Sequence, residues 1–177
     1  MSKNDFEIFL KTQSTVNPQE MVNFDRIKSE YIKSSKIFFS LIDSYLDKYV
    51  REGKIAIVPD EIELFEENLG TYKMEMRKLT IGSKSVQIFP VGALIFGSKG
   101  RIDMTHRAKR VRFVLVERSA IGKVHITITE KHNKPNLNIK QKSDDFIWKI
   151  ATPPPHIKLI ELNEDSFFTA LMDVLNA

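Results

Sequence analysis

Tyr72-Lys73-Met74-Glu75-Met76-Arg77 alternates apolar and charged side chains, and Val86-Gln87-Ile88 resumes the alternation after Gly82-Ser83. A period of two places successive side chains on opposite faces of an extended chain, so both runs read as half-buried strands. Gly82-Ser83 between them reads as a hairpin turn. The same period recurs downstream at Ile102 and Met104, at Val111, Phe113 and Leu115, and at Val124, Ile126 and Ile128. It ends in Phe146 to Ile150 and Ile157 to Leu162, on either side of the break at Thr152-Pro153-Pro154-Pro155. Between Tyr72 and Leu162 there is no room for crossover helices, so the sheet must be largely antiparallel.

Upstream the period is helical. Phe24, Ile27, Tyr31, Phe38, Leu41, Ile42, Tyr45 and Tyr49 recur at helical spacing after Asn17-Pro18-Gln19-Glu20, which carries a cap, a first-turn proline and a capping-box acid. Gly53 is the expected stop, because glycine takes the left-handed conformation at no steric cost. The length of this helix allows a kink near Ser34-Ser35. Ile55 to Val58 reads as a short strand ended by Pro59, and Asp60 as the cap of a helix running to Asn68. Downstream, Asn163 caps a last helix whose apolar stripe is Phe167, Phe168, Leu171, Met172 and Leu175.

These elements give the α+β class: a mostly antiparallel β-meander sheet packed with a long N-terminal helix and a short C-terminal helix. The expected layout is one domain over 1–177, with residues 1–16 flexible, the long helix at 18–52, the sheet at 72–162 and the last helix at 164–176. Lys131 to Asp145 is polar and aperiodic and reads as a long loop. The aromatic side chains of the long helix exceed one narrow stripe, which predicts a homodimer through that helix.

The chain has no cysteine, which removes disulfides, thiolate metal ligands and a cysteine nucleophile. That composition suits a reducing cytoplasm, the expected location. Met1 to Leu10 mixes acids with apolar groups and does not read as a secretory leader. The longest apolar run, Val91 to Phe96, is far shorter than the roughly 20 residues of a spanning helix, so no membrane role is expected.

Charge is segregated. Residues 99–142 hold 12 Lys or Arg against 3 acids, whereas the rest of the chain holds 15 against 20. Such asymmetry bears on partners. It predicts a non-catalytic binding protein that presents a basic face to an anionic partner, nucleic acid or acidic protein. The candidate contacts are Lys99, Arg101, Arg107, Lys109, Arg110 and Arg112 around one turn and its strands, with Lys131, Lys134, Lys140 and Lys142 in the loop. No cofactor is expected for that role.

Two further readings compete. Arg101-Ile102-Asp103-Met104 followed by Phe113-Val114-Leu115-Val116-Glu117-Arg118 resembles the core of magnesium-dependent nucleases of the restriction-endonuclease type. That resemblance implies Asp103 and Glu117 as ligands of one Mg ion, two carboxylates on one cation being what phosphodiester cleavage needs. Ser119 occupies the position of the lysine that activates water in that pattern. The other reading is an apolar ligand carrier, suggested by the Phe and Met content. Gly92-Ala93-Leu94-Ile95-Phe96-Gly97-Ser98-Lys99 resembles a phosphate-binding loop only superficially, since Ser98 and Lys99 are in the reverse order. His106, His125, His132 and His156 have no metal-ligand spacing, and no Gly-x-Ser-x-Gly elbow is present.

Overall fold

The computed structural model describes residues 18–95, 97–118 and 146–176, with side chains from Asn23 onward. The Asn17 cap, residues 1–16, the 124–128 strand and the 131–145 loop lie outside that set. Helix α1 (Pro18–Arg51) is one uninterrupted element. It ends in a Schellman motif: Lys54 N–H donates to Tyr49 O at 2.9 Å and Gly53 N–H to Val50 O at 3.0 Å, with Gly53 at φ 68°.

Seven strands follow: β1 (Ile55–Glu66), β2 (Gly70–Ile81), β3 (Lys84–Gly92), β4 (Arg101–His106), β5 (Lys109–Glu117), β6 (Phe146–Ala151) and β7 (Leu159–Glu161); helix α2 (Glu164–Leu175) closes the chain. Every described neighbour pair is antiparallel and the spatial order is the chain order, an open meander. The Gly82-Ser83 turn joins β2 to β3 as the sequence predicts.

The helix expected from Asp60 to Asn68 does not form. Strand β1 continues through Pro59, which pairs with Arg77 without a register break, to Glu66. β1 is an edge strand, so a residue without an N–H is tolerated within it. Ile62 and Leu64 then alternate with Glu61, Glu63 and Phe65, the pattern of a strand with one covered face. Gly70, at φ 68°, ends the β1–β2 turn rather than a helix.

β2 bonds to β3 only from Arg77 to Ile81; beyond Arg77, β1 and β2 continue as a two-stranded ribbon. Along this ribbon the core side changes. Ile55, Ile57, Leu79 and Ile81 face the core near the sheet, but Ile62, Leu64, Tyr72 and Met74 face it further out. The register has no bulge, so the change requires the ribbon to coil, as two-stranded ribbons do more readily than wide sheets. Arg77 marks the changeover. Its buried guanidinium pairs with Asp43 of α1 at 3.0 Å and Glu75 at 3.3 Å, and lies 4.8 Å from the Phe39 ring centroid.

Glu66 fastens the far end of the ribbon. Its carboxylate accepts the Tyr72 hydroxyl and the backbone N–H groups of Ala93 (3.0 Å) and Leu94 (2.8 Å), just beyond β3. The close approach requires glycine at 92, where a Cβ would lie 2.9 Å from Glu66 Oε2. Tyr31 of α1 donates to Arg101 O at 2.6 Å beside this cluster, and its ring occupies the space a Cβ at Gly100 would need.

Both helices cover the same face of the sheet. Tyr31, Phe38, Phe39, Ile42 and Leu46 of α1 and Phe167, Leu171 and Val174 of α2 share one core with Ile88, Ile102, Met104, Phe113, Leu115 and Ile150. Trp148 is buried there as its strand position predicts: it stacks near Tyr31 and Phe38 and donates Nε1–H to Ser34 O at 3.0 Å. α2 carries a reciprocal cap between Asn163 and Ser166. Its buried stripe differs from the expected one: Met172 is exposed, and Ala170 and Val174 complete the packed face.

Burial pushes the Tyr31 and Tyr72 phenols well above the ordinary value of 10, with Glu66 adding to both. An unfolded chain releases these protons near pH 10 and the folded chain retains them. Stability should therefore be intact below about pH 10 and fall as the pH rises past it. Denaturant melts across that range should show the fall, and Tyr72→Phe should blunt it. Tyrosinate absorbance appearing at the ordinary pH for all four tyrosines, with the fold intact, would contradict the described network.

Candidate anion-binding face

The alternation that buries Ile102, Met104, Phe113 and Leu115 under the helices turns their neighbours to the other side of the sheet. Arg101, Asp103 and Thr105 of β4 therefore share a face with Arg110, Arg112, Val114 and Val116 of β5, and the register sets Asp103 opposite Arg112 on one side and Phe89 on the other. Lys149 of β6 joins this face opposite Val114. Among the described residues, neither helix packs against it.

Asp103 is the organising group. It is 1% exposed although it lies on the face away from the helices. Arg101 clasps it with two hydrogen bonds, Nε to Oδ1 at 2.7 Å and Nη2 to Oδ2 at 2.6 Å, and Arg110 Nε lies 3.4 Å from Oδ2. Bidentate pairing of this kind fixes both side chains. The hydrogen bonds from Arg101 to Asp103 raise the guanidinium pKa further and keep it charged. Arg112 Nε is buried without a hydrogen-bond partner.

The ten expected contact residues do not form one patch. Arg101, Arg110 and Arg112 converge, and Arg107 extends their line from the β4–β5 turn. Arg107 has φ 52°, the one positive-φ residue other than glycine among the described residues. Such a conformation costs roughly 1–3 kcal/mol for a residue with a Cβ. Lys109 has the parity of Val111 and Phe113, so it turns to the helix side, where Nζ lies 3.9 Å from Asp173 of α2. Lys99 lies at the other end of the hairpin, 5.9 Å from the Phe146 ring centroid. Lys131, Lys134, Lys140 and Lys142 lie outside the described residues.

Asp103 and Glu117 do not converge. Glu117 has the parity of Phe113 and Leu115, opposite to that of Arg112, and pairs with Phe146 at the far end of β5. Five residues separate it from the Asp103 partner, about 17 Å along a strand. Among the described residues, no three His, Asp or Glu side chains group as a metal site. The loop-like stretch from Gly92 is also occupied, since its Ala93 and Leu94 N–H groups bind Glu66. His106 is buried, with Nδ1 2.6 Å from Ser85 O; His156 is exposed in the segment before β7.

Phe89 and Lys149 are the members of this face that the sequence reading misses. The parity of Phe89 follows from Val86 and Ile88 in its own strand; the cross-strand register that sets it opposite Asp103 is what the residues alone do not give. The chain matches no family model, no curated protein and no solved structure. No helix among the described residues is long and apolar enough to cross a membrane.

Removing Asp103 should leave Arg101 and Arg110 without their carboxylate. Asp103→Ala should cost about 3–5 kcal/mol in a denaturant melt. Glu117→Ala, at an exposed strand end, should stay within about 0.5 kcal/mol. Because the two groups do not meet, the double variant should equal the sum of the singles within about 0.5 kcal/mol. A larger coupling would show that they share a site.

Proposed function

We propose that this protein is a non-catalytic binding module whose sheet face away from both helices holds an anionic partner, nucleic acid or an acidic protein. The observation that carries the reading is that Arg101, Arg110 and Arg112 share the face away from both helices, the first two paired with a single buried carboxylate and the third across from it. Asp103 neutralises one of the three positive charges and leaves the set net cationic. Arg101 and Arg110 present guanidinium edges not used by Asp103, and Arg112 lies across from Asp103 on the same face. Guanidinium forks suit phosphate or carboxylate oxygens, because two parallel N–H groups meet two oxygens. The Arg107 turn adds a further exposed cation at one end of the line.

Elution from a sulfated-polysaccharide resin tests the reading. Arg110→Gln with Arg112→Gln removes two charges from the face without setting a new carboxylate beside Asp103. Lys36→Gln with Lys48→Gln removes two exposed charges from α1. The first pair should elute at clearly lower salt than the unmutated protein, and the second close to it. Equal shifts for the two pairs would mean that the attraction comes from net charge and that the face is not a binding site.

A further inference from the structure

Resting on the reading just given, we infer that the partner is an extended single strand of nucleic acid, its phosphates along the Arg110–Arg112 line and a base stacked on Phe89. Three features favour this over an acidic protein. The first is spacing. Arg110 and Arg112 alternate on one strand about 7 Å apart, close to the step between phosphates in an extended strand, and Arg107 continues the line beyond Arg110. The second is the aromatic ring. Phe89 is half-buried on the same face, two strands across from Arg112 with Asp103 between them, about 10 Å away. That offset lets a base reach the ring while its phosphate stays on the arginine line. The third is polar: Gln87 and Thr105 form the neighbouring row opposite Arg110, where amide and hydroxyl groups can meet base edges.

A basic track beside an aromatic platform is how sheet surfaces take single strands without reading sequence. Duplex would offer its phosphates but no base face to Phe89. An acidic protein would use the arginines and leave the ring without a stacking partner. Asp103 does not oppose this arrangement, because its carboxylate is enclosed and held by Arg101.

The test is fluorescence anisotropy with a labelled oligo-deoxythymidine, a duplex of the same length and a poly-glutamate, across a salt series. The single strand should bind tightest. Three phosphate contacts predict a log–log salt slope of about −2, and Arg112→Gln should flatten it by about 0.7. Phe89→Ala should weaken the single strand about five-fold or more, leaving the slope and poly-glutamate binding unchanged; Phe89→Tyr should restore it. If duplex or poly-glutamate binds as well as the single strand, or Phe89→Ala has no effect in a folded variant, the single-strand inference is wrong and the anionic-face reading stands. If none of the three binds at low salt, both are wrong.

Discussion

A carboxylate that is 1% exposed has to be paired, and Asp103 is such a group on the side of the sheet that neither helix covers. Burying an ion without a counter-ion costs several kcal/mol, so this strand pairing holds only with guanidiniums around it. Arg101 meets the need from its own strand and Arg110 from the next. Two arginines on one carboxylate, with Arg112 across from it on the next strand, leave a surplus of positive charge on the face away from the helices. A structural requirement of the β4–β5 hairpin thus produces the chemical character of the face.

Among the described residues, both helices pack on the other side of the sheet. The aromatic side chains of α1, which as a sequence exceed one narrow stripe, are used within this chain: Tyr31, Phe38 and Phe39 are fully buried, and Phe24, Tyr45 and Tyr49 pack at the margins. Tyr45 and Tyr49 meet Phe167 and Phe168 of α2. The coiled ribbon closes the end of that core, anchored by Arg77 to α1 and by Glu66 to the chain beyond β3. These anchors set the end of β3 next to Tyr31 and the start of β4, so they hold the strands that carry Phe89 and Asp103.

Most of this was legible in the residues where one local rule governs. Gly53 and Asn163 act as the helix-end rules require, and the period of two between Tyr72 and Leu115 marks real strands. The errors have physical causes. Pro59 stops a strand only where its missing N–H is needed, and an edge strand does not need it, so the Asp60 to Asn68 segment is strand. Lys109 and Arg110 are neighbours in sequence and opposites in space, because adjacent strand residues face apart; counting parity from Phe113 separates them. The same count sends Glu117 away from Asp103 and removes the two-carboxylate geometry that the nuclease resemblance implies. Phe89 obeys the period of two set by Val86 and Ile88, but its place opposite Asp103 depends on the β3–β4 register, which periodicity does not supply.

The central claim is that the sheet face bearing Arg101, Arg110 and Arg112 is the site that holds the anion. Amide chemical-shift mapping of the labelled protein against a short oligo-deoxythymidine addresses it residue by residue. The account predicts saturable perturbations along Arg110 to Val114, at Arg101 and Phe89 and at Lys149, with α1 and the β1–β2 ribbon unchanged. Perturbations centred on α1 or the ribbon, or none on β4 and β5 at saturation, would contradict it.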